Sequence, residues 1–252
     1  MHRHGAVPDL DEIITLITRS RHTVALTGAG ISTAAGIPDF RGKDGMYTTG
    51  RYPPTVFELD AFHADPVPFF RFVRDFLVAG ERICPTYTHR FLATLERAGM
   101  LAAVITQNID GLHQRAGSRN VVELHGGFST AACTGCRRRV PGDVLRPVVL
   151  RGEVPRCARC GGVLKPDVVF FGEEVPAMSH AMSLAERTDL MLVLGSSLTV
   201  FPAAVLPSVV PGAVVVVNRD PVAVEHPRVY CRWGDTDTVL RQVADCIGVE
   251  VS

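Results

Sequence analysis

The clearest chemistry lies in four cysteines, arranged as Cys133-x2-Cys136 and Cys157-x2-Cys160 with twenty residues between the pairs. Zinc takes four soft ligands in a tetrahedron, and each Cys-x2-Cys loop offers two. No histidine lies among them. Four thiolates leave no open coordination position, so such a site is structural rather than catalytic. The first residues, MHRHGAVPDL, carry no apolar signal segment behind their basic residues. Disulfides are therefore not expected to persist, which favours metal. Cys84, Cys231 and Cys246 stand singly, and their default role is packing or an incidental surface position.

Further polar clusters follow apolar runs. Gly28-Ala29-Gly30-Ile31-Ser32-Thr33 follows Thr23-Val24-Ala25-Leu26. Such glycines let a backbone approach a pyrophosphate, with donors from the next helix N-terminus. The third glycine of the usual fingerprint is replaced by Thr33, and an ordinary turn has the same form. Gly36-Ile37-Pro38-Asp39-Phe40-Arg41 adds an aromatic ring and a guanidinium able to neutralise phosphate. Gln107, Asn108 and Asp110 follow a third apolar run, where amides and a carboxylate could read ribose hydroxyls and a carboxamide; helix capping is the plainer role. His125, in Glu123-Leu124-His125-Gly126, is placed for access and has the residue type for proton transfer near neutral pH, though a lone histidine is more often structural. Gly195-Ser196-Ser197-Leu198 and Asn218-Arg219-Asp220 close two later apolar runs and suit phosphate and ribose.

The elements needed to position these groups can be read from periodicity. Asp9 and Glu12 have capping-box spacing, and Leu10, Ile13, Ile14 and Ile17 share a helix face. Strands are expected at 23–26, 102–105, 168–171, 190–194 and 213–217, and helices at 69–77 and 88–98. Short apolar strands of this kind suit a parallel sheet covered on both faces. The fold class is α/β: a doubly wound, parallel, Rossmann-like sheet with a smaller domain made of a zinc ribbon and a helical insertion. The expected division is 1–42, 88–126 and 167–252 for the sheet domain. The small domain takes 43–87 as its helical module and 127–166 as its ribbon. The loop from Lys43 to Pro54 is expected to be mobile, being punctuated by glycine and proline.

Composition excludes several classes. The chain has 252 residues, 46% hydrophobic, with 26 basic side chains against 26 acidic ones. That is enough apolar surface to fold, and a zero net charge argues against an electrostatic nucleic-acid coat or membrane-surface protein. The ribbon itself is basic, with eight basic residues against two acidic. It has little aromatic interleaving, so nucleic acid is disfavoured as a partner. The uncharged stretch from Leu190 to Val217 is long enough to span a bilayer, but three prolines and Gly195 break it. It reads as strand, short helix, strand, with no membrane partner, and the expected location is cytoplasmic.

Taken in order, GAGIST, GIPDFRG, TQNIDGLHQRAG, ELHG, the two cysteine pairs, KPDVVFFGE, GSSLTV and the N-R-D turn resemble the sirtuins, over about residues 24–220. The resemblance implies a compact enzyme of bacterial or archaeal type, an NAD-dependent protein-lysine deacetylase with one structural zinc ion held by Cys133, Cys136, Cys157 and Cys160. Ala29, Thr33, Phe40 and Arg41 would contact NAD. Gln107, Asn108, Ile109 and Asp110 would line the nicotinamide and ribose pocket, with Asn108 also placing ribose or water. Ser196, Ser197, Asn218 and Arg219 would hold the adenosine half, with Asp235 or Thr236 near the adenine.

The acyl oxygen of acetyl-lysine would attack the nicotinamide ribose carbon, nicotinamide would leave, and Phe40 could exclude water. His125 would act as general base on a ribose hydroxyl. The products would be lysine, nicotinamide and O-acetyl-ADP-ribose. The acetylated protein or peptide would add as a strand against Val169, Phe171 and Gly172 and against Val200. The succinyl-preferring branch carries a Tyr-x-x-Arg pair where this chain has Phe70 and Val73, with Arg74 adjacent. Neutral acyl groups are thus favoured. A mono-ADP-ribosyltransferase or NAD hydrolase on the same fold is the alternative.

Overall fold

A computed structural model describes residues 10–37, 50–80 and 82–251. Asp9, Phe40, Arg41 and the 43–49 part of the expected mobile loop lie outside the described residues. In chain order the described strands are β1 (Thr23–Thr27), β2 (Ala103–Thr106), β3 (Val121–Glu123), β4 (Thr130–Cys133), β5 (Arg139–Pro141), β6 (Leu164–Pro166), β7 (Leu190–Leu194), β8 (Ala213–Asn218) and β9 (Val229–Trp233). The described α-helices are α1 (Leu10–Arg19), α2 (Leu59–Ala64), α3 (Val67–Gly80), α4 (Tyr87–Arg97), α5 (Leu112–Arg115), α6 (Arg146–Leu150), α7 (Met178–Ala185) and α8 (Thr236–Ile247).

The chain divides into two compact units. The first comprises Met1–Ile37, Cys84–Leu124 and Pro176–Ser252; the second comprises Pro38–Ile83 and His125–Val175.

The first unit is built on a six-stranded sheet in the order β3-β2-β1-β7-β8-β9, with every pairing parallel. The chain starts at β1, winds outward to β3, then returns beside β1 as β7 and winds the other way. The reversal between β1 and β7 is a topological switch point, where open α/β sheets bind ligands at the carboxyl ends of their strands. Ala25, Val104, Leu192 and Val215 face a core shared with Ile13 and Ile17 of α1, Phe91 and Leu95 of α4, and Val239 and Val243 of α8. Their neighbours Val24, Leu26, Ile105, Val193 and Val216 are equally buried. Both faces are therefore covered, as the uninterrupted apolar runs require.

The second unit holds a three-stranded antiparallel sheet, β5-β4-β6, and the helices α2, α3 and α6. Its helical part closes around edge-to-face phenylalanines. Phe57, Phe62, Phe69 and Phe170 meet with ring centroids 4.9–6.1 Å apart.

Two expectations are corrected. Val168 to Phe171 is not a strand of the parallel sheet. Phe170 enters the phenylalanine cluster, while Phe171 pairs with Glu58 in an isolated parallel bridge, its N–H donating to the Phe57 carbonyl over 2.8 Å. A short apolar run is buried equally well by a sheet or by aromatic rings, and its pattern does not say which. The glycine turn after β1 leads into two short 3-10 turns, Ala29–Ile31 and Thr33–Ala35, rather than an α-helix.

Candidate functional site at the switch point

Three glycines set the geometry between β1 and β7. The Gly28 N–H donates to the Leu194 carbonyl over 3.1 Å, and the Gly30 N–H to the Gly195 carbonyl over 2.9 Å. A Cβ on Gly28 or Gly30 would lie 2.8 or 2.7 Å from the Gly195 carbonyl oxygen. Gly195 itself has φ +60, and a Cβ there would lie 2.5 Å from the Ile31 nitrogen. The glycines let two backbones touch, and the Gly28 and Gly30 donors expected for a phosphate are engaged in that contact.

Around this seam the polar residues of three loops, after β1, β2 and β7, bond to one another. Gln107 Nε2 donates to Ser196 Oγ over 2.8 Å. Asn108, buried, sends its Nδ2 to the Gly28 carbonyl and to Ser32 Oγ, each over 3.2 Å. Ser32 Oγ donates to Asp110 Oδ2 over 2.7 Å, and the Leu112 N–H donates to Asp110 Oδ1 over 2.9 Å. Burial pushes the Asp110 carboxyl above its ordinary value, against those two donors. Ile109 is half-buried beside it, as are Ala29 and Thr33. Thr33 Oγ1 donates back to the Gly30 carbonyl over 3.0 Å. Ser196 is buried and Ser197 exposed, with Ser197 Oγ 2.8 Å from Thr199 Oγ1; Val200 is half-buried.

At the end of β8, Asn218 Nδ2 donates to the Asp220 carbonyl over 2.7 Å and Arg219 is exposed. Asp235 caps α8, its Oδ1 accepting from Thr238 N and Thr238 Oγ1, each over 2.9 Å, while Thr236 is buried. Sequence reasoning passed over Ser32, which links Asn108 to Asp110. Its signal was its place inside the GAGIST motif. It also assigned nothing to His113, whose Nε2 lies 2.9 Å from Thr27 Oγ1 beneath the glycine turn.

In the second unit, His125 is half-buried and its carbonyl accepts from Val169 N over 2.9 Å. Gly126 follows with φ +65, where a Cβ would fall 1.8 Å from the Asp167 carbonyl oxygen. Only glycine lets the chain after His125 lie against the 167–169 backbone. Phe171 and Gly172 are exposed.

The four ribbon cysteines bring their sulfurs within 4.8 Å of one another. Cys133 and Cys160 are 3.4 Å apart, and Cys136 and Cys157 3.8 Å. Four sulfurs tetrahedral at ~2.3 Å from zinc stand about 3.8 Å apart, so the donor set fits that ion. The Cys136 N–H, 3.4 Å from Cys133 Sγ, lowers that thiol's pKa and favours its thiolate, while the neighbouring thiols raise that of Cys160.

Residues 28–202 match the model of the Sir2 family. The chain belongs to that family. Over 243 residues it is 43% identical to NAD-dependent protein deacetylase 1 of Pyrobaculum aerophilum, covering 94% of each chain. It is similar to a solved Sir2 structure described with deacetylated p53 peptide and 3′-O-acetyl ADP-ribose. There the TM-score is 0.86 and the identity 39%, over 96% of this chain and 100% of the other. A Sir2 structure described with p53 peptide and NAD+ gives a TM-score of 0.84 at 40% identity, over 96% and 99%. The family match takes in the loops after β1, β2 and β7, the His125 turn and the ribbon alike.

Proposed function

We propose that this Sir2-family chain is an NAD-dependent protein-lysine deacetylase that releases nicotinamide and O-acetyl-ADP-ribose. The observation that carries the reading is likeness over nearly the whole of both chains to proteins described as NAD-dependent deacetylases, together with a polar network at the switch point. When bound, NAD supplies the electrophilic ribose carbon and the nicotinamide leaving group. Gln107, Asn108, Ile109 and Asp110 are assigned to the nicotinamide ribose, with Ala29, Thr33, Phe40 and Arg41 near the phosphates. Ser196, Ser197, Asn218, Arg219, Asp235 and Thr236 are assigned to the adenosine half. Asn108 is suited to place a ribose hydroxyl or water, because its amide is fixed by two acceptors.

His125 is the general base that takes a ribose proton. Val169, Phe171, Gly172 and Val200 are assigned to an acetylated protein or peptide added as a strand. Cys133, Cys136, Cys157 and Cys160 hold a structural zinc ion. The choice of acyl group follows from α3. Phe70 and Val73 are buried, and the neighbouring Arg74 is half-buried with its guanidinium 3.6 Å from Asp75. Neither position 70 nor position 73 carries a charge for a succinyl carboxylate, and Arg74 is already beside a carboxylate. Among the described residues no helix is long and apolar enough to cross a membrane. A thiol zinc site suits a reducing compartment, and we assign the chain to the cytoplasm.

The test is nicotinamide release from NAD with and without acetyl-lysine peptide, in wild type and His125→Ala, with a succinyl peptide in parallel. Release should require the acetyl peptide, be much slower with the succinyl one, and fall ~10²–10⁴-fold in the variant. Release without peptide, or label left on protein, would replace this reading with a hydrolase or transferase.

A further inference from the structure

We infer that Lys165 and Glu173 form a latch that positions the peptide-docking stretch and the backbone of His125, and thereby sets affinity for the acetylated chain. The inference rests on the deacetylase reading above.

Lys165 is one of only two lysines in the sequence. Its side chain is only 13% exposed. Its Nζ donates to the Val168 carbonyl and to Glu173 Oε2, both over 2.8 Å, and lies 4.2 Å from the centroid of the Phe170 ring. The same Glu173 oxygen accepts from Phe170 N over 2.8 Å, and the Glu173 N–H donates to the Phe170 carbonyl over 3.0 Å. The ion pair thus fixes the Val168 carbonyl and the Phe170 N–H, and the Glu173 backbone holds the Phe170 carbonyl. Between those two residues, Val169 N donates to the His125 carbonyl.

The 168–172 stretch belongs to no sheet and runs into a turn at Gly172, which has φ +94, so no ladder fixes its course. Phe171 N and O are used by Phe57 and Leu59. With the latch closed, Val169 O and the N–H and carbonyl of Gly172 are, among the described residues, without a backbone partner. They are the groups a substrate strand can use. A stretch already held in one conformation spares the substrate the entropy of ordering it. Charge-assisted hydrogen bonds are the stronger kind, and removing the ammonium leaves the Glu173 carboxylate without its cation beside aromatic rings.

The roles separate cleanly in kinetics. A latch acting on the docking stretch changes the peptide KM, whereas the residues assigned to NAD, Phe40 and Arg41 apart, belong to the other unit. Lys165→Met should raise the peptide KM about tenfold, equivalent to ~1.4 kcal/mol, with the NAD KM within about twofold. Lys165→Arg, which keeps the charge and the donors, should restore most of the loss. Glu173→Gln, which keeps an acceptor for Phe170 N, should show the same split to a smaller degree, and supplies the answer if Lys165→Met does not fold. Zinc content and melting temperature are read on each variant, and acetyl-peptide binding by calorimetry on each inactive one. An unchanged peptide KM and peptide affinity in both uncharged variants overturns the latch, as does an equal rise in both KM values. His125→Ala keeps the two readings apart. If it retains full activity, the deacetylase reading has failed; if it is inactive while Lys165→Met behaves as wild type, the latch alone has failed.

Discussion

Every residue of β1 and β7 is buried, as are the first five of β8, whereas in β5 no residue is buried and in β4 and β6 burial alternates. The strands of the first unit are held by apolar surface on both faces, at about 25 cal/mol per Å² removed from water. The ribbon of the second unit has too little such surface, and its four thiols stand where a core would otherwise be. The contrast teaches that the two units answer to different perturbations, although the deacetylase reading draws residues from both.

Metal removal should separate them most sharply. Structural zinc sites in small modules contribute ~10–16 kcal/mol of apparent binding energy. A strong chelator, or Cys133→Ser, should abolish hydrogen-exchange protection in 130–133 and 164–166 while leaving protection in 23–27 and 213–217. Simultaneous loss in both regions would erase the distinction.

A second test concerns space. Gly30→Ala places a methyl 2.7 Å from a backbone oxygen and 2.9 Å from a backbone carbon. It should cost about 3 kcal/mol, read from denaturant midpoints. Gly161→Ala in the ribbon meets nothing within 4 Å, and only its φ of +74 opposes it. The ribbon substitution should cost about 1 kcal/mol. Equal losses would show that crowding at the switch point is unimportant.

Acid should act on the first unit through two buried histidines. Burial, with a smaller contribution from Arg90, brings His89 down to about 3, and burial takes His113 well below its ordinary range. The unfolded chain, with histidine near 6.5, binds these protons first. Stability is therefore fully present above pH 6.5 and is lost as the pH falls from there towards 3. Moving from pH 6.5 to 5.0 should remove about 2 kcal/mol through His89. His89→Gln should flatten this slope in a urea series, and an unchanged slope would show that His89 is not its source.

The smallest effect is expected at the start of α8. Asp235→Ala removes the cap on Thr238 N and should cost about 1 kcal/mol of stability, checked by thermal melting. A loss several times larger would mean that this end of the sheet unit depends on polar contacts as much as the ribbon does.

Much of this contrast could be read from residue order, because strong local signals carried it. Continuous apolar runs marked β1, β7 and β8, and the paired cysteines marked the ribbon. β9 escaped because Val229-Tyr230-Cys231-Arg232-Trp233 is a half-buried edge strand with an arginine in it. The 168–171 run was misplaced because its partners, Phe57, Phe62 and Phe69, lie about a hundred residues earlier. The motif glycines were legible as a turn. Their engagement with Gly195 was not, since no local pattern reports which distant backbone a glycine will touch. Ser32 and His113 act through hydrogen bonds to residues 78 and 86 positions away, beyond any spacing rule.

The seam of Gly28, Gly30 and Gly195 also limits how this molecule can vary. A side-chain clash in a core can be relieved by trimming the neighbour, so compensating pairs arise readily. Here the neighbour is main chain, which no codon change can shorten. An alanine at any of the three sites has no single-residue suppressor opposite it; relief requires β1 and β7 to move apart, and with them the loops that carry Ser32 and Ser196. Random mutagenesis should therefore return these three codons unchanged, or not at all, however many second sites are open to change.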